Sequence, residues 1–137
     1  MTKEEKKIKK QILKEDYKIK QKMKSLVKQK NETTYNSLGY MIYKIFPDLT
    51  IKCDGKNLLG YLAECYPYSA TDGNFMKFFD ILKQAGVDPN NTTKYNENFL
   101  QIMLENVTDY KEFKSLKNFI IYQDIASKID INSRDEF

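Results

Sequence analysis

Histidine is absent from this chain of 137 residues. Its absence removes the commonest general base, the Ser–His and Cys–His nucleophile pairs, and the commonest metal ligand. Glycine numbers only five, and neither a GxGxxG nor a GxxxxGK phosphate loop occurs. Carboxylates and lysines can support catalysis unaided, but nothing in the spacing sets two of them together. The chain is therefore expected not to be an enzyme, and to need no metal and no cofactor. The two cysteines, Cys53 and Cys65, belong to no CxxC pair, and they are expected to remain reduced thiols. No apolar run approaches the length that spans a bilayer. The amino terminus, Met1-Thr2-Lys3-Glu4-Glu5-Lys6-Lys7, is charged, with no apolar signal region behind it, so a cytoplasmic location is expected. The sequons at Asn31, Asn91 and Asn106 are then chance matches.

What is present is unevenly charged. Residues 1–30 carry 12 lysines against Glu4, Glu5, Glu15 and Asp16, a net of +8. The remaining residues hold 11 basic and 15 acidic side chains, a net of −4. The chain reads as a basic arm on a mildly acidic body. A hydrophobic fraction of 41% suffices for one domain with a real core.

The hydrophobic pattern is helical throughout. Residues 3–30 read as one long helix, with Ile8, Ile12, Ile19, Met23, Leu26 and Val27 forming an apolar stripe among lysines. Asn31-Glu32-Thr33-Thr34 breaks it, and a second helix from Tyr35 to Phe46 must stop before Pro47. Asp54-Gly55 is a turn, and Asn57 caps a helix carrying Leu58, Leu59, Leu62 and Ala63. Residues 66–74 read as a loop. Phe75 to Ala85 is a helix with Phe75, Phe78, Phe79 and Leu82 turned to the core, ended by Gly86 as a left-handed cap. Asn96 and Asn98 then take the places of Gly55 and Asn57, 41 residues on, ahead of an apolar face of Phe99, Leu100 and Met103. A loop at 108–112 and a further helix through Leu116, Phe119, Ile120 and Ile125 complete the order. No strand is required.

One block repeats. Lys83-Gln84-Ala85-Gly86-Val87-Asp88-Pro89-Asn90 returns, altered, 42 residues later as Ile125-Ala126-Ser127-Lys128-Ile129-Asp130-Ile131-Asn132. A fixed period of this size marks stacked supersecondary units, each too small to bury its own apolar face. With Asp54-Gly55-Lys56-Asn57-Leu58-Leu59-Gly60-Tyr61-Leu62-Ala63 and Ile81-Leu82-Lys83-Gln84-Ala85-Gly86-Val87-Asp88-Pro89-Asn90, the chain resembles the ankyrin repeat family. The family pattern opens on an Asp-Gly turn and a Thr-Pro-Leu-His helix start and leaves through Leu-Leu-x-x-Gly-Ala-Asp-Val-Asn. Here Asn-Leu or Asn-Phe replaces Thr-Pro, Gly60 and Gln101 stand at the histidine position, and Lys128 replaces the capping glycine. The spacing also exceeds the family's ~33 residues. The resemblance implies an all-α, ankyrin-like helical-repeat solenoid over 48–137, with 1–47 as a basic amino-terminal helix and a capping helix. A plain helical bundle is the alternative.

By resemblance, partners dock on the turn tips and the exposed side of each first helix. In one repeat these positions are Cys53, Asp54, Lys56 and Glu64; in the next they are Lys94, Tyr95, Glu97, Glu105 and Asn106. The implied function is a protein–protein interaction module, one form of which is an inhibitor acting by occlusion, with a basic patch favoured on the partner. Tyr66, Tyr68 and Tyr95, in expected loops, are candidate contact residues. The alternative function is nucleic-acid binding through Lys6, Lys10, Lys14, Lys18, Lys20, Lys24 and Lys28. A merely solvated capping helix accounts for the same lysines, and no membrane or small-molecule partner is expected.

Overall fold

A computed structural model of the chain describes residues 1–27, 34–65 and 73–106. The chain starts with α1 (Lys3–Val27), whose first turn is capped by Thr2: its hydroxyl accepts the Glu5 N–H at 3.1 Å. Next comes α2 (Tyr35–Ile45), capped by Thr34, which accepts the Ser37 N–H, and closed by Phe46 ahead of Pro47. A hairpin of β1 (Lys52–Cys53) and β2 (Lys56–Asn57) leads directly into α3 (Leu58–Glu64), followed by α4 (Gly73–Gln84) and α5 (Phe99–Glu105). The described residues are thus mostly helical. The expectation of no strand is corrected by this small antiparallel pair, whose register sets Lys52 opposite Asn57 and Cys53 opposite Lys56.

The pairing of helices follows from where the apolar residues fall. Helix α3 packs against both α1 and α5, while α2 packs against α4. Contacts of α1 with α2 and of α3 with α4 join these two rows. The core between them holds Ile19, Met23, Leu26 and Val27 of α1, Leu38 and Ile42 of α2, and Leu58, Leu59, Leu62 and Ala63 of α3. The four phenylalanines expected in the core are all fully buried. Phe99 carries the contact from α5 to α4, with its ring centroid 4.8 Å from Phe79 and 5.8 Å from Phe75. Each such ring removes enough apolar surface from water to contribute on the order of 2–3 kcal/mol.

Helix α4 ends as its sequence requires. Gly86 has φ of +93°, its N–H donates to the Lys83 carbonyl, and the Val87 N–H donates back to the Leu82 carbonyl at 3.1 Å. This is the Schellman pattern, closed by the buried pair Leu82 and Val87. Two expectations are corrected. Gly73 and Asn74 belong to α4 rather than to the preceding loop. Ile8, placed in the buried stripe by its spacing, is 60% exposed: packing along α1 begins at Ile12, so the helix outruns the body it is anchored to. Residues 66–72 of the loop, Lys28, the loop at 108–112, the helix through Leu116 and the second exit block lie outside the described residues, as do Tyr66 and Tyr68.

Candidate functional site

Two turn tips, far apart in sequence, lie side by side. The first is the hairpin loop Asp54-Gly55, where both residues have positive φ, +50° and +81°. That is the type I′ arrangement a two-residue hairpin favours, because its twist matches that of the strands. The second tip spans Thr92 to Glu97: the Thr92 N–H donates to the Glu97 carbonyl at 2.8 Å, and Asn96 takes the left-handed position at φ of +59°. The Asn57 N–H donates to the Thr92 carbonyl at 3.0 Å, which docks one tip on the other. Lys94 Nζ then reaches Asp54 Oδ2 at 3.0 Å.

The two cap asparagines behave as expected, and one does more. Asn57 Oδ1 accepts the Gly60 N–H, and Asn98 Oδ1 accepts the Gln101 N–H while Gln101 Oε1 accepts the Asn98 N–H, a full capping box. The Asn57 amide also donates to the Asp88 and Asn91 carbonyls at 3.1 and 3.2 Å. It thereby ties the start of α3 to the chain that precedes α5. Gly60 stands where a side chain would not fit without movement. A Cβ there would lie 2.7 Å from Lys56 Cγ and 2.8 Å from the Thr92 carbonyl oxygen.

Most of the docking residues named from the sequence border two clefts. The first, about 340 Å³, is lined by Asp54, Lys56, Glu64, Lys94, Tyr95 and Glu97, with Ile12, Leu13 and Asp16 of α1 as its other wall. The second, about 450 Å³, is lined by Glu64, Glu105 and Asn106, with Lys20 and Lys24 of α1. Glu64 belongs to both. Tyr95 stands on the rim, 65% exposed. Cys53 is largely buried: alternation along β1 turns Lys52 out and Cys53 in, and its thiol points at the Ile12 carbonyl of α1. It therefore lines the floor of the first cleft, beneath the exposed tips. Both cysteines are buried free thiols.

The wall between the clefts is an ion-pair network. Lys56 Nζ bonds Glu64 at 2.5 Å, lies 3.5 Å from Asp16, and sits 4.3 Å above the Tyr61 ring. Lys20 pairs with Asp16 at 3.1 Å and approaches Glu64 at 3.8 Å. The Tyr61 hydroxyl donates to Asp16 at 2.8 Å. Burial pushes the Asp16 carboxyl up, but the Tyr61 hydroxyl, Lys20 and Lys56 outweigh it and hold the carboxyl below its ordinary value. Burial, then the bond to Asp16, raises the Tyr61 hydroxyl well beyond its usual range. At the tips, the contact with Asp54 raises Lys94. Asp16 and Tyr61 were not among the site residues named from the sequence: they are 45 positions apart, and no local pattern joins them.

The lysines of the arm separate into two groups. Lys18 and Lys20 are paired with acids of their own helix, Lys18 with Glu15 at 3.9 Å. Lys6, Lys10, Lys14 and Lys24 are exposed and enter no ion pair among the described residues. Among those residues, too, no group of acidic or cysteine side chains is gathered as a metal site, and no helix is long and apolar enough to cross a membrane. Compared with protein-family models, curated proteins and solved structures, the chain gives no match.

Proposed function

We propose that this chain is a protein-interaction module built on an ankyrin-like helical repeat, and that it binds its partner across the turn tips and the clefts beside α1. The observation that carries the reading is convergence. Asp54 and Lys56 on one tip, and Lys94, Tyr95 and Glu97 on the other, come from segments about 40 residues apart, yet border one cleft. The repeat reading is supported by the row α1–α3–α5, by the matching asparagine caps, and by matching left-handed turn residues 41 positions apart.

A face of this kind suits binding rather than chemistry. Its charged groups hold one another in place, so few side chains need ordering when a partner arrives. Lys56 and Lys94 are each held against carboxylates, and the acids on the face favour a basic patch on the partner. Tyr95 supplies the large, exposed amphipathic ring that dominates many protein interfaces. Blocking a partner's own site by occlusion is the simplest outcome of such binding.

The test compares the wild type with the triple variant Lys94→Ala, Tyr95→Ala and Glu97→Ala in capture from nuclease-treated lysate of the source cell. A control pair, Tyr40→Ala and Tyr43→Ala, changes exposed tyrosines of α2 that border neither cleft. One protein retained by the wild type and the control, and lost by the folded triple variant, supports the reading. Equal retention by all three removes it.

A further inference from the structure

The side of α1 turned away from the core carries a regular feature, of which only Lys24 also borders a docking cleft. Lys3, Lys6, Lys10, Lys14, Tyr17 and Lys24 follow one another at spacings of three, four, four, three and seven. Such spacings place them along one side of a helix, close to one residue per turn. All six are exposed, and Tyr17 at 64%. None of the five lysines enters an ion pair among the described residues. From Lys3 to Lys24 the row runs for about 32 Å at 1.5 Å per residue. Ile19, Met23, Leu26 and Val27, on the other side of the same helix, are buried and hold it to the body.

We propose that this row is a binding track for single-stranded nucleic acid, with the lysines meeting successive phosphates and Tyr17 stacking on a base. The charge complementarity is direct: evenly spaced cations, with no ion pair among the described residues, suit a polyanion whose charges also recur along its length. An exposed ring within a basic track adds a platform for any base. An anionic membrane fits less well. The exposed apolar residues of α1 do not share a face, since Ile8 lies about 140–180° around the helix from Leu13 and Tyr17 at 100° per residue. A lipid surface requires one continuous apolar side. Lys18 and Lys20, bound to acids, lie outside the track.

The experiment is a fluorescence-anisotropy titration of the full chain with a labelled 20-nucleotide single strand, repeated across a series of salt concentrations. A strand touching four or five lysines should lose affinity with a log–log slope near −3, at about −0.7 per phosphate. The variant Lys6→Gln, Lys10→Gln, Lys14→Gln, Lys24→Gln should bind at least about tenfold more weakly and flatten that slope. Tyr17→Ala should weaken binding several-fold with the slope unchanged, because stacking is not a charge effect. Circular dichroism confirms that these surface variants fold. Polyglutamate and phosphatidylserine vesicles serve as competitors. The proposal is overturned if the strand does not bind at low salt, if either competitor displaces it at equal charge concentration, or if Tyr17→Ala changes nothing.

Discussion

Lys94 and Asp54 are 40 residues apart in sequence and 3.0 Å apart in space. Both side chains are about half exposed, so the pair is screened by water and contributes little stability. Its significance is positional: it marks where two turn tips become one surface. The backbone bond from Asn57 to the Thr92 carbonyl beneath it does the docking. Replacing Lys94 with alanine should therefore leave the urea denaturation midpoint close to that of wild type, while altering the binding face.

The two cap asparagines should differ in weight. Asn98→Ala removes a helix cap and should cost about 1–2 kcal/mol. Asn57→Ala removes the same cap and also strips hydrogen bonds from the Asp88 and Asn91 carbonyls, at a site where Asn57 is 3% exposed. Its cost should reach about 2–4 kcal/mol. Urea denaturation of both variants decides this, and equal losses would mean that the bridge carries no weight.

Gly60 offers a test of how closely the tips are packed. Alanine is normally the better helix former by about 1 kcal/mol, so an open site would gain from Gly60→Ala. Here the added Cβ meets the Thr92 carbonyl, which is fixed by its bond from Asn57. A net loss of about 1–3 kcal/mol is expected, readable as a lowered melting temperature, and Gly60→His should be worse.

Asp16 links stability to pH. Its carboxyl is held below the ordinary value of 3.8, so the folded state favours the ionised form. The stabilisation is complete above the unfolded-state value and is lost as pH falls through the lower folded-state value. Asp16→Asn should thus be less stable than wild type at pH 7, with the gap narrowing below about pH 4. Tyr61→Phe should weaken the same unit, and a double-mutant cycle with Asp16→Asn should show coupling of about 1–2 kcal/mol. Additive effects, or a gap unchanged by acid, would contradict the network.

Much of this architecture was legible because it is set locally. Asn57, Gly86, Asn96 and Asn98 declare their turns and caps through side-chain chemistry acting within four residues, and the phenylalanine spacing of α4 fixes its buried face. What escaped depends on distant partners. The burial of Cys53 follows from a hairpin too short to be recognised by alternation, and the Asp16–Tyr61 bond joins elements whose pairing no spacing records. Ile8 misled for a related reason: periodicity says which side of a helix is apolar, but not where along it the body ends. The docking residues were named from the turn pattern, and their convergence on shared clefts depends on the packing of one tip against the next.

The central claim is that the turn tips, and not the α2 side of the molecule, meet the partner. It is tested most directly by photo-crosslinking in the source cell, with a benzophenone side chain replacing Tyr95 in one protein and Tyr40 in another. Both positions are exposed, at 65% and 71%, so reach to solvent is matched. The account expects one discrete protein adduct from position 95 and none from position 40. The same adducts from both positions, or an adduct from position 40 alone, would contradict it.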